Sequence, residues 1–354
     1  MNPLPRAGRR QRLAQVCQRT HALPVMERLR SLLRRDLRIL AYHRVLERAE
    51  PDGFSFDVDL ISASAEGFRQ QMLHIRDRFT PLRFDQVLSY LDADRRLPEG
   101  AVLVTFDDGY DDNYRVAFPI LRDLGMSAMF FVSTGHIDTG EPYVYDWLVH
   151  MICTTTASGL SAPELGIEWA IPAGMRERRE LASRLLDRLK SLDDAGQSAL
   201  IGRLEREWNL PRAAGHVDCR PMTWDQLREM KRDGMEIGSH GVGHRMLAKL
   251  PTQQMTEEVV QSKSTLEREL GMPAHVMSYP VGGHDAYDTE TVEVVRAAGF
   301  RMACSYVTGS SEIAVESRYS MRRLPVEREM DSAWFEAMVS VPELFSYSSR
   351  FRTG

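Results

Sequence analysis

The chain has 354 residues, of which 43% are hydrophobic and 27% charged, and its formal net charge at pH 7 is −5. This composition is that of a globular protein, and the acidic balance argues against nucleic acid as a partner. No apolar run reaches the roughly 20 residues of a membrane span, and four scattered cysteines without a CxxC pair argue against a disulfide framework.

The first 37 residues form a basic extension. Residues 1–38 contain ten arginines against only two acidic residues. Four apolar residues recur between these arginines at helical spacing: Met26, Leu29, Leu32 and Leu33. The pattern fits a helix lying on an anionic membrane surface, and it also fits a solvated helix packed on the domain, which we favour. Because no secretory signal is evident, we expect a cytoplasmic protein, located at the inner face of the membrane if the first interpretation holds.

From residue 38 onward, predicted strands and helices alternate. Buried-strand patterns occupy residues 37–45, 101–106, 127–134, 236–240, 275–282 and 301–306. Amphipathic helix patterns occupy residues 64–79, 83–94, 113–126, 223–235, 252–270 and 289–300. This alternation predicts an α/β fold with parallel strands and crossover helices.

The alternation breaks between about residues 140 and 220. This segment is helical in pattern, with "RERRELASRLLDRLKSL" and "GQSALIGRLEREW" as its clearest parts. We interpret it as an insertion in a βα loop, so that residues 38–354 form one domain that includes it. Trp147, Trp169 and Trp208 in this segment are expected to pack in a core rather than to stack on a ligand.

Polar side chains capable of chemistry stand at or near the ends of the predicted strands. They are His43, Asp107, Asp108, His240, His244, His284, Asp285, Arg322 and Arg323. In α/β barrels the carboxyl ends of the strands meet at one rim, where active sites are built. We therefore expect these side chains to lie together. Asp111 and Asp112 are expected instead to cap the helix that follows them.

The adjacent carboxylates of Asp107 and Asp108 repel each other and resist burial, so something must compensate them. A divalent cation bound by one carboxylate and by His240 and His244, with coordination positions left open, suits Zn²⁺ or another first-row metal. Such a cation lowers the pKa of bound water from 15.7 to about 7, and the second carboxylate can accept the proton of that water. The residues thus favour a metal-dependent hydrolase, without indicating which aspartate has which role.

The segments "TFDDGY", "SHGVGH" and "SYPVG", in this order and spacing, resemble the first three motifs of the polysaccharide deacetylases, the NodB-homology or carbohydrate esterase 4 family. The resemblance covers roughly residues 38–340, apart from the insertion. It implies a distorted (β/α)₇ barrel and removal of N-acetyl groups from amino sugars with Zn²⁺ or a related ion such as Ni²⁺, Co²⁺ or Fe²⁺.

The resemblance also implies roles for individual residues. Asp107 would be the general base, and Asp108, His240 and His244 would be the metal ligands. The backbone N–H of Val281 would help to hold the oxyanion.

Two departures from the family pattern change the remaining assignments. The third motif of the family often begins with an arginine that orients the catalytic aspartate; here Ser278 stands in that place, and Arg323 is the substitute. The last motif of the family usually supplies a Leu-His pair whose histidine protonates the leaving amine, but no histidine follows His284. We expect His43 to be the general acid, because its Tyr-His context resembles the poly-N-acetylglucosamine deacetylase branch, with His284 or a metal-bound water as alternatives.

The sequence thus predicts an N-deacetylase acting on an amino sugar in a polysaccharide or in a lipid-linked or nucleotide-linked glycan precursor. Two other functions remain open. One is a different C–N amide hydrolase on the same barrel, and the other is a non-catalytic sugar-binding relative that retains the metal site.

Overall fold

The computed structural model describes residues 8–48 and 53–347, and a ring of parallel strands lies at its centre. The strands of these residues are β1 (Arg38–Tyr42), β2 (Arg44–Leu46), β3 (Ile61–Ser64), β4 (Thr80–Pro81), β5 (Ala101–Phe106), β6 (Met129–Val132), β7 (Gly159–Ala162), β8 (Ile167–Ala170), β9 (Glu236–Ser239), β10 (Val276–Ser278), β11 (Met302–Thr308) and β12 (Met321–Pro325).

The ring closes because β1 pairs with β12 on one side and with β5 on the other. The order around it is β1, β12, β11, β10, β9, β6 and β5, all parallel, while β4 adds to the edge of β5. These seven ring strands confirm the predicted (β/α)₇ barrel.

Helices surround the ring and continue into the insertion. They are α1 (Arg9–Arg19), α2 (Ala22–Leu33), α3 (Ala65–Arg78), α4 (Phe84–Asp92), α5 (Phe118–Asp123), α6 (Thr134–Thr139), α7 (Val144–Thr154), α8 (Met175–Leu189), α9 (Asp194–Glu207), α10 (Trp224–Arg232), α11 (Thr252–Leu270), α12 (Thr289–Ala297), α13 (Ser332–Ser340) and α14 (Pro342–Phe345). None of these helices has the length and apolar character needed to cross a bilayer.

Side chains of the ring strands alternate between two apolar clusters, as the two-residue period of a strand requires. In β5, Leu103 belongs to the cluster inside the barrel, whereas Val104 packs against the surrounding helices. Continuing the count from Leu103 gives Thr105 and then Asp107 as inner positions. The barrel therefore becomes polar at the carboxyl end of β5.

The same alternation in two further strands leads to polar inner positions. Met321 of β12 and Val276 of β10 belong to the inner cluster. Two residues after them come Arg323 and Ser278, which are both fully buried. Strand register thus places a cation and a hydroxyl beside the carboxylate of Asp107.

The insertion has an apolar core of its own, which helices α7, α8 and α9 share with the segment around Phe56. Trp147 is buried in this core, and Trp169 and Trp208 pack against it, as expected. A feature that the helical pattern did not predict is the antiparallel hairpin of β7 and β8, in which four residue pairs face each other. Its strands are too short for a recognisable period.

Alanine substitutions at two glycines test the packing of the barrel. A Cβ on Gly238 in β9 would meet the ring of Phe131 at 2.7 Å and the carbonyl oxygen of Val276 at 2.9 Å, whereas a Cβ on Gly202 within α9 would find only Arg206 Nη1, at 3.5 Å. Gly238→Ala should therefore lower the free energy of unfolding by about 1–3 kcal/mol. Gly202→Ala, the matched control, should raise it by about 0.5–1 kcal/mol. Denaturant titration measures both, and equal effects would contradict this packing of the barrel.

Candidate active site

Asp107 and Arg323 form a buried ion pair at the top of the barrel. Arg323 Nη1 donates to Asp107 Oδ1 and Arg323 Nη2 to Asp107 Oδ2, each at 2.7 Å, and both side chains have no exposed surface. Burial alone would raise the pKa of Asp107, but the charge and hydrogen bonds of Arg323, together with His240 and His43, outweigh it and lower this pKa well below its usual value. Asp107 is therefore ionised at neutral pH and fixed in one orientation.

Arg323 is itself anchored by the neighbouring strands. Its Nη2 donates to Ser278 Oγ at 2.9 Å, and its Nε donates to the carbonyl oxygen of Ser305 at 2.7 Å. Ser278, which stands where the family pattern often has an arginine, thus supports the arginine that comes from β12 instead. The structure brings the proposed substitute to the carboxylate that it was predicted to orient.

Asp108, His240 and His244 converge beside this pair. One ligand atom from each of the three side chains lies within 4.8 Å of the others. Asp108 Oδ1 is 3.4 Å from His240 Nε2 and 3.3 Å from His244 Nε2. These separations exceed the usual 2.7–3.2 Å of an N–H···O hydrogen bond. They leave room for a cation between the three atoms.

Neighbouring groups orient the two histidines. The carbonyl oxygen of Ser278 lies 2.8 Å from His240 Nδ1, and because a carbonyl can only accept, Nδ1 carries a proton; this contact turns Nε2 towards Asp108. The loop between the histidines is held by Glu258, whose Oε2 accepts from the backbone N–H of Val242 at 2.8 Å and of Gly243 at 2.9 Å.

The cluster has the properties of a divalent-cation site. Within the described residues, Asp108 Oδ1 and His240 Nε2 are buried without a hydrogen-bond partner, which is costly unless another ligand satisfies them. Burial would raise the pKa of Asp108, but the two histidines lower it well below its usual value. One carboxylate oxygen and two imidazole nitrogens match the donor set of a catalytic zinc site.

Backbone strain concentrates at the same place. Asp108, His244 and Val281 have φ values of +74°, +57° and +62°, in the left-handed region that residues with a Cβ rarely adopt. For a β-branched residue such as Val281 this conformation is a genuine outlier. Strained conformations of this kind persist where the surrounding structure imposes them, and they are frequent in active sites.

His43 lies at the same rim and is buried. Its backbone is clamped on both sides, since its N–H donates to Ser62 Oγ at 3.0 Å and its carbonyl oxygen accepts from Asn113 Nδ2 at 2.8 Å. Its ring packs 5.4 Å from that of Tyr306, which in turn lies 5.2 Å from the guanidinium of Arg323. His284, the alternative acid, is exposed in the turn after Val281.

A cavity leads from the histidine cluster towards the insertion. Asp108, His244 and Val281 line its inner end, and α7 and α8 contribute to its far side; Asp107 does not contribute to its wall. Three tyrosines that the sequence analysis did not single out also line it: Tyr110, Tyr143 and Tyr145. The ring of Tyr143 lies 5.0 Å from that of His244, and its hydroxyl donates to the carbonyl oxygen of Asp108. A tyrosine so distant in sequence carries no motif that could have identified it.

Acidic side chains line the far side of this cavity. Burial raises the pKa of Asp57 to about 6, that of Asp59 to about 7 and that of Asp146 to about 6. Asp146 Oδ1 accepts from the backbone N–H of Asp57 at 2.8 Å, and its Oδ2 accepts from the hydroxyl of Tyr110 at 3.1 Å. The cavity therefore carries partial negative charge at neutral pH.

The predicted capping roles of Asp111 and Asp112 are wrong. Asp112 forms a buried ion pair with Arg44, whose Nε and Nη2 lie 2.9 and 2.8 Å from its Oδ2. Asp111 accepts from Arg220 at 2.9 Å and from Gln226 at 2.9 Å. Both carboxylates thus join distant segments, because long-range cations outcompete the local helix end.

A closed (β/α)₇ barrel that carries an arginine-held carboxylate beside a carboxylate–histidine cluster has the architecture of a barrel hydrolase. The family model for polysaccharide deacetylases matches residues 94–303, more than half of the chain. The chain belongs to the polysaccharide deacetylase family.

The individual relatives share less than 30% sequence identity with this chain. YxkH of Bacillus subtilis (strain 168) is 23% identical over 249 residues, which are 70% of this chain and 60% of that protein. The poly-β-1,6-N-acetyl-D-glucosamine N-deacetylase of Escherichia coli (strain K12) is 29% identical over 101 residues, 28% of this chain and 14% of that protein. The chain thus spans less than two thirds of these curated relatives. Among solved structures, Streptococcus pyogenes deacetylase PplD in complex with acetate is similar in fold, with a TM-score of 0.56, 19% identity and coverage of 88% of this chain and 99% of that chain.

Removing the guanidinium group of Arg323 from the buried ion pair should lower the stability of the protein. Arg323→Met leaves the Asp107 carboxylate buried without compensation, so we expect the free energy of unfolding at pH 7 to fall by about 3–5 kcal/mol. Arg322→Met, at the exposed neighbouring position, is the matched control and should change it by less than about 0.5 kcal/mol.

The loss of stability caused by Arg323→Met should increase as the pH rises. In the wild type the pKa of Asp107 is lowered, so its stabilising contribution is present above the unfolded pKa of about 3.9 and is lost as the pH falls. In Arg323→Met burial raises this pKa, so stability is lost as the pH rises. Denaturation should therefore show a larger difference between the two proteins at pH 8 than at pH 4. A difference independent of pH would contradict the ion-pair account.

The three-residue cluster should bind metal. We expect Zn²⁺ to raise the melting temperature of chelator-treated protein by binding the folded state. Asp108→Asn and His240→Ala should each weaken Zn²⁺ affinity by more than about 100-fold, as loss of a ligand must cost at least as much as loss of a supporting group. His284→Ala is the control and should bind as the wild type does. Calorimetric titration measures the affinities, and equal values for all four proteins would exclude this site.

Proposed function

We propose that this protein is a metal-dependent N-deacetylase that hydrolyses the acetamide of an amino sugar within a glycan. The observation that carries the proposal is the division between two adjacent aspartates. Asp107 is held by Arg323 and is free of the histidine cluster, whereas Asp108 belongs to it. One carboxylate is thus available to accept a proton while its neighbour is committed to a cation.

Asp108, His240 and His244 would hold the metal, and their donor set favours Zn²⁺, with Ni²⁺, Co²⁺ or Fe²⁺ as alternatives. When bound, the metal supplies Lewis acidity, which makes water more acidic and polarises a carbonyl group. The remaining chemistry belongs to side chains and backbone groups of the chain itself.

The reaction converts an N-acetyl group and water into acetate and a free amine. Asp107, oriented by Arg323, accepts the proton of the attacking water as the oxygen bonds to the acetyl carbon. The backbone N–H of Val281 donates to the oxygen that becomes negatively charged. As the C–N bond breaks, His43 donates a proton to the nitrogen, which leaves as an amine.

The negative charge of the cavity favours, as substrate, a glycan that carries no phosphate near the reacting sugar. Asp57, Asp59 and Asp146 face this cavity together with Asp187, against the cations Arg179 and Lys190. A nucleotide-linked sugar would bring its diphosphate close to these carboxylates, whereas neutral or amine-bearing sugars would not be repelled. The Escherichia coli relative, named for poly-β-1,6-N-acetyl-D-glucosamine, makes oligomers of this sugar the first substrates to test.

The test is release of amine and acetate from N-acetylglucosamine oligomers by the metal-loaded protein. Asp107→Asn and His43→Ala should each lower kcat/KM by about 10²–10⁴-fold, the usual contribution of a general base or acid. Asp107→Asn should retain its metal, and His284→Ala should retain its activity.

Each other outcome contradicts a defined part of the proposal. Equal activity of Asp107→Asn would remove its role as base, and equal activity of His43→Ala would transfer the acid to another group. If the wild type releases ammonia or opens a cyclic amide rather than releasing acetate, the protein is a different C–N hydrolase. If it binds the oligomers and releases no amine from any of them, it is a sugar-binding relative.

A further inference from the structure

Exposed apolar side chains are concentrated on the first two helices. Half of the twelve large apolar residues that the described part of the chain exposes lie there. These six residues, here called the N-terminal patch, are Leu13, Val16, Val25, Leu29, Leu32 and Leu33. Leu32 and Leu33 are 77% and 86% exposed, which is far more than isolated surface leucines require.

The patch lies on helices that are fixed to the domain by their opposite side. Ala14, Cys17 and Leu23 are buried in the main apolar cluster of the protein. Gln15 Nε2 donates to Asp331 Oδ2 at 2.8 Å, which ties α1 to the start of α13. The helices therefore pack on the domain, as the sequence analysis favoured, and still present a second apolar face to the outside.

Buried charge holds α2 in this position. Arg30 Nη1 donates to Asp36 Oδ1 at 2.8 Å, and Arg30 Nη2 donates to Glu343 Oε1 at 2.7 Å. In the same helix, Val25, Leu29 and Leu32 follow one another at spacings of four and three residues and share one face. Arg30 thus points into the domain while the apolar residues point away from it.

The charge around the patch is positive. Seven exposed arginines accompany it: Arg9, Arg10, Arg12, Arg19, Arg28, Arg34 and Arg35. Among residues 8–35 the acidic residue is Glu27, which is half-buried. At the border of α2, Asp77 is paired with Arg76 at 3.0 Å, and Glu99 accepts from Ser31.

We propose that the N-terminal patch docks on an anionic lipid surface. Apolar side chains rimmed by arginines match the two layers of such a surface, because the former enter the acyl boundary and the latter face the headgroups. A second copy of the chain fits less well, since a symmetric contact would place seven arginines against seven others.

Docking leaves the active site facing the aqueous phase. Leu33 lies five residues before the start of β1, and His43 follows directly after the end of that strand. A strand of five residues is about 16 Å long, so Leu32 and Leu33 at the end of α2 lie towards the opposite end of the barrel from the active site. Membrane binding and catalysis are therefore separable, and the test does not depend on the proposed function.

The test is sedimentation of the full chain with vesicles of phosphatidylcholine, with and without one third phosphatidylglycerol. We expect binding only to the anionic vesicles, weakening as salt is raised. Leu32→Glu/Leu33→Glu and Arg28→Glu/Arg35→Glu should each weaken binding about tenfold or more. Val217→Glu and Arg322→Glu, at exposed positions elsewhere, are the matched controls and should bind as the wild type does.

Further measurements distinguish docking from unfolding of the variants and from self-association. The melting temperature and the release of amine from soluble oligomers should stay unchanged in the patch variants, because the altered side chains are exposed and remote from the site. Failure of the wild type to bind anionic vesicles, or equal binding by all variants, overturns the proposal. If the wild type is a dimer and the patch variants are monomers with unaltered vesicle binding, the patch is instead an interface between copies.

Discussion

The structure depends on the compensation of two adjacent buried carboxylates. Asp107 and Asp108 end a buried strand where water cannot screen them, so each needs a positive partner from a different direction. Arg323 of β12 serves Asp107, and the loop after β9 brings two histidines to Asp108. These partners are separated from β5 by more than one hundred residues, and only closure of the ring brings them together. The barrel is therefore a condition for burying this pair as well as a scaffold for the site.

The different surroundings of Asp107 and Asp108 follow from backbone geometry. Along β5 the inner positions lead to Asp107, whereas the left-handed φ of Asp108 turns its side chain towards the histidines. His244 and Val281 share this strained conformation, so three loops of the rim depart from ordinary backbone at the same point. Strain of about 1–3 kcal/mol at each such residue is tolerable here because the strands below are tightly packed.

Two additions to the barrel act on separate surfaces. The insertion covers the rim and turns an open cluster into a cavity with tyrosines and carboxylates on its walls. The first two helices pack against α13, and they carry apolar and basic side chains outward. The two additions thus occupy different parts of the surface, and neither disturbs the Asp107–Arg323 pair.

The sequence alone determined the parallel strands with crossover helices and most of the polar residues at the strand ends, because alternating apolar periods and strand-end residues are local patterns. The closed barrel was implied by the resemblance to the polysaccharide deacetylases. Only the tertiary structure decided which partners these residues take. Counting by two from Met321 identifies Arg323 as inward-facing, but its contact with Asp107 spans 216 positions in sequence. Asp112 was expected to cap a helix and instead meets Arg44, and Tyr143 reaches Asp108 from the insertion. A buried charged side chain is stabilised by whichever oppositely charged or polar group lies next to it in the folded structure. Ring closure determines which groups these are, and no local sequence pattern encodes that closure.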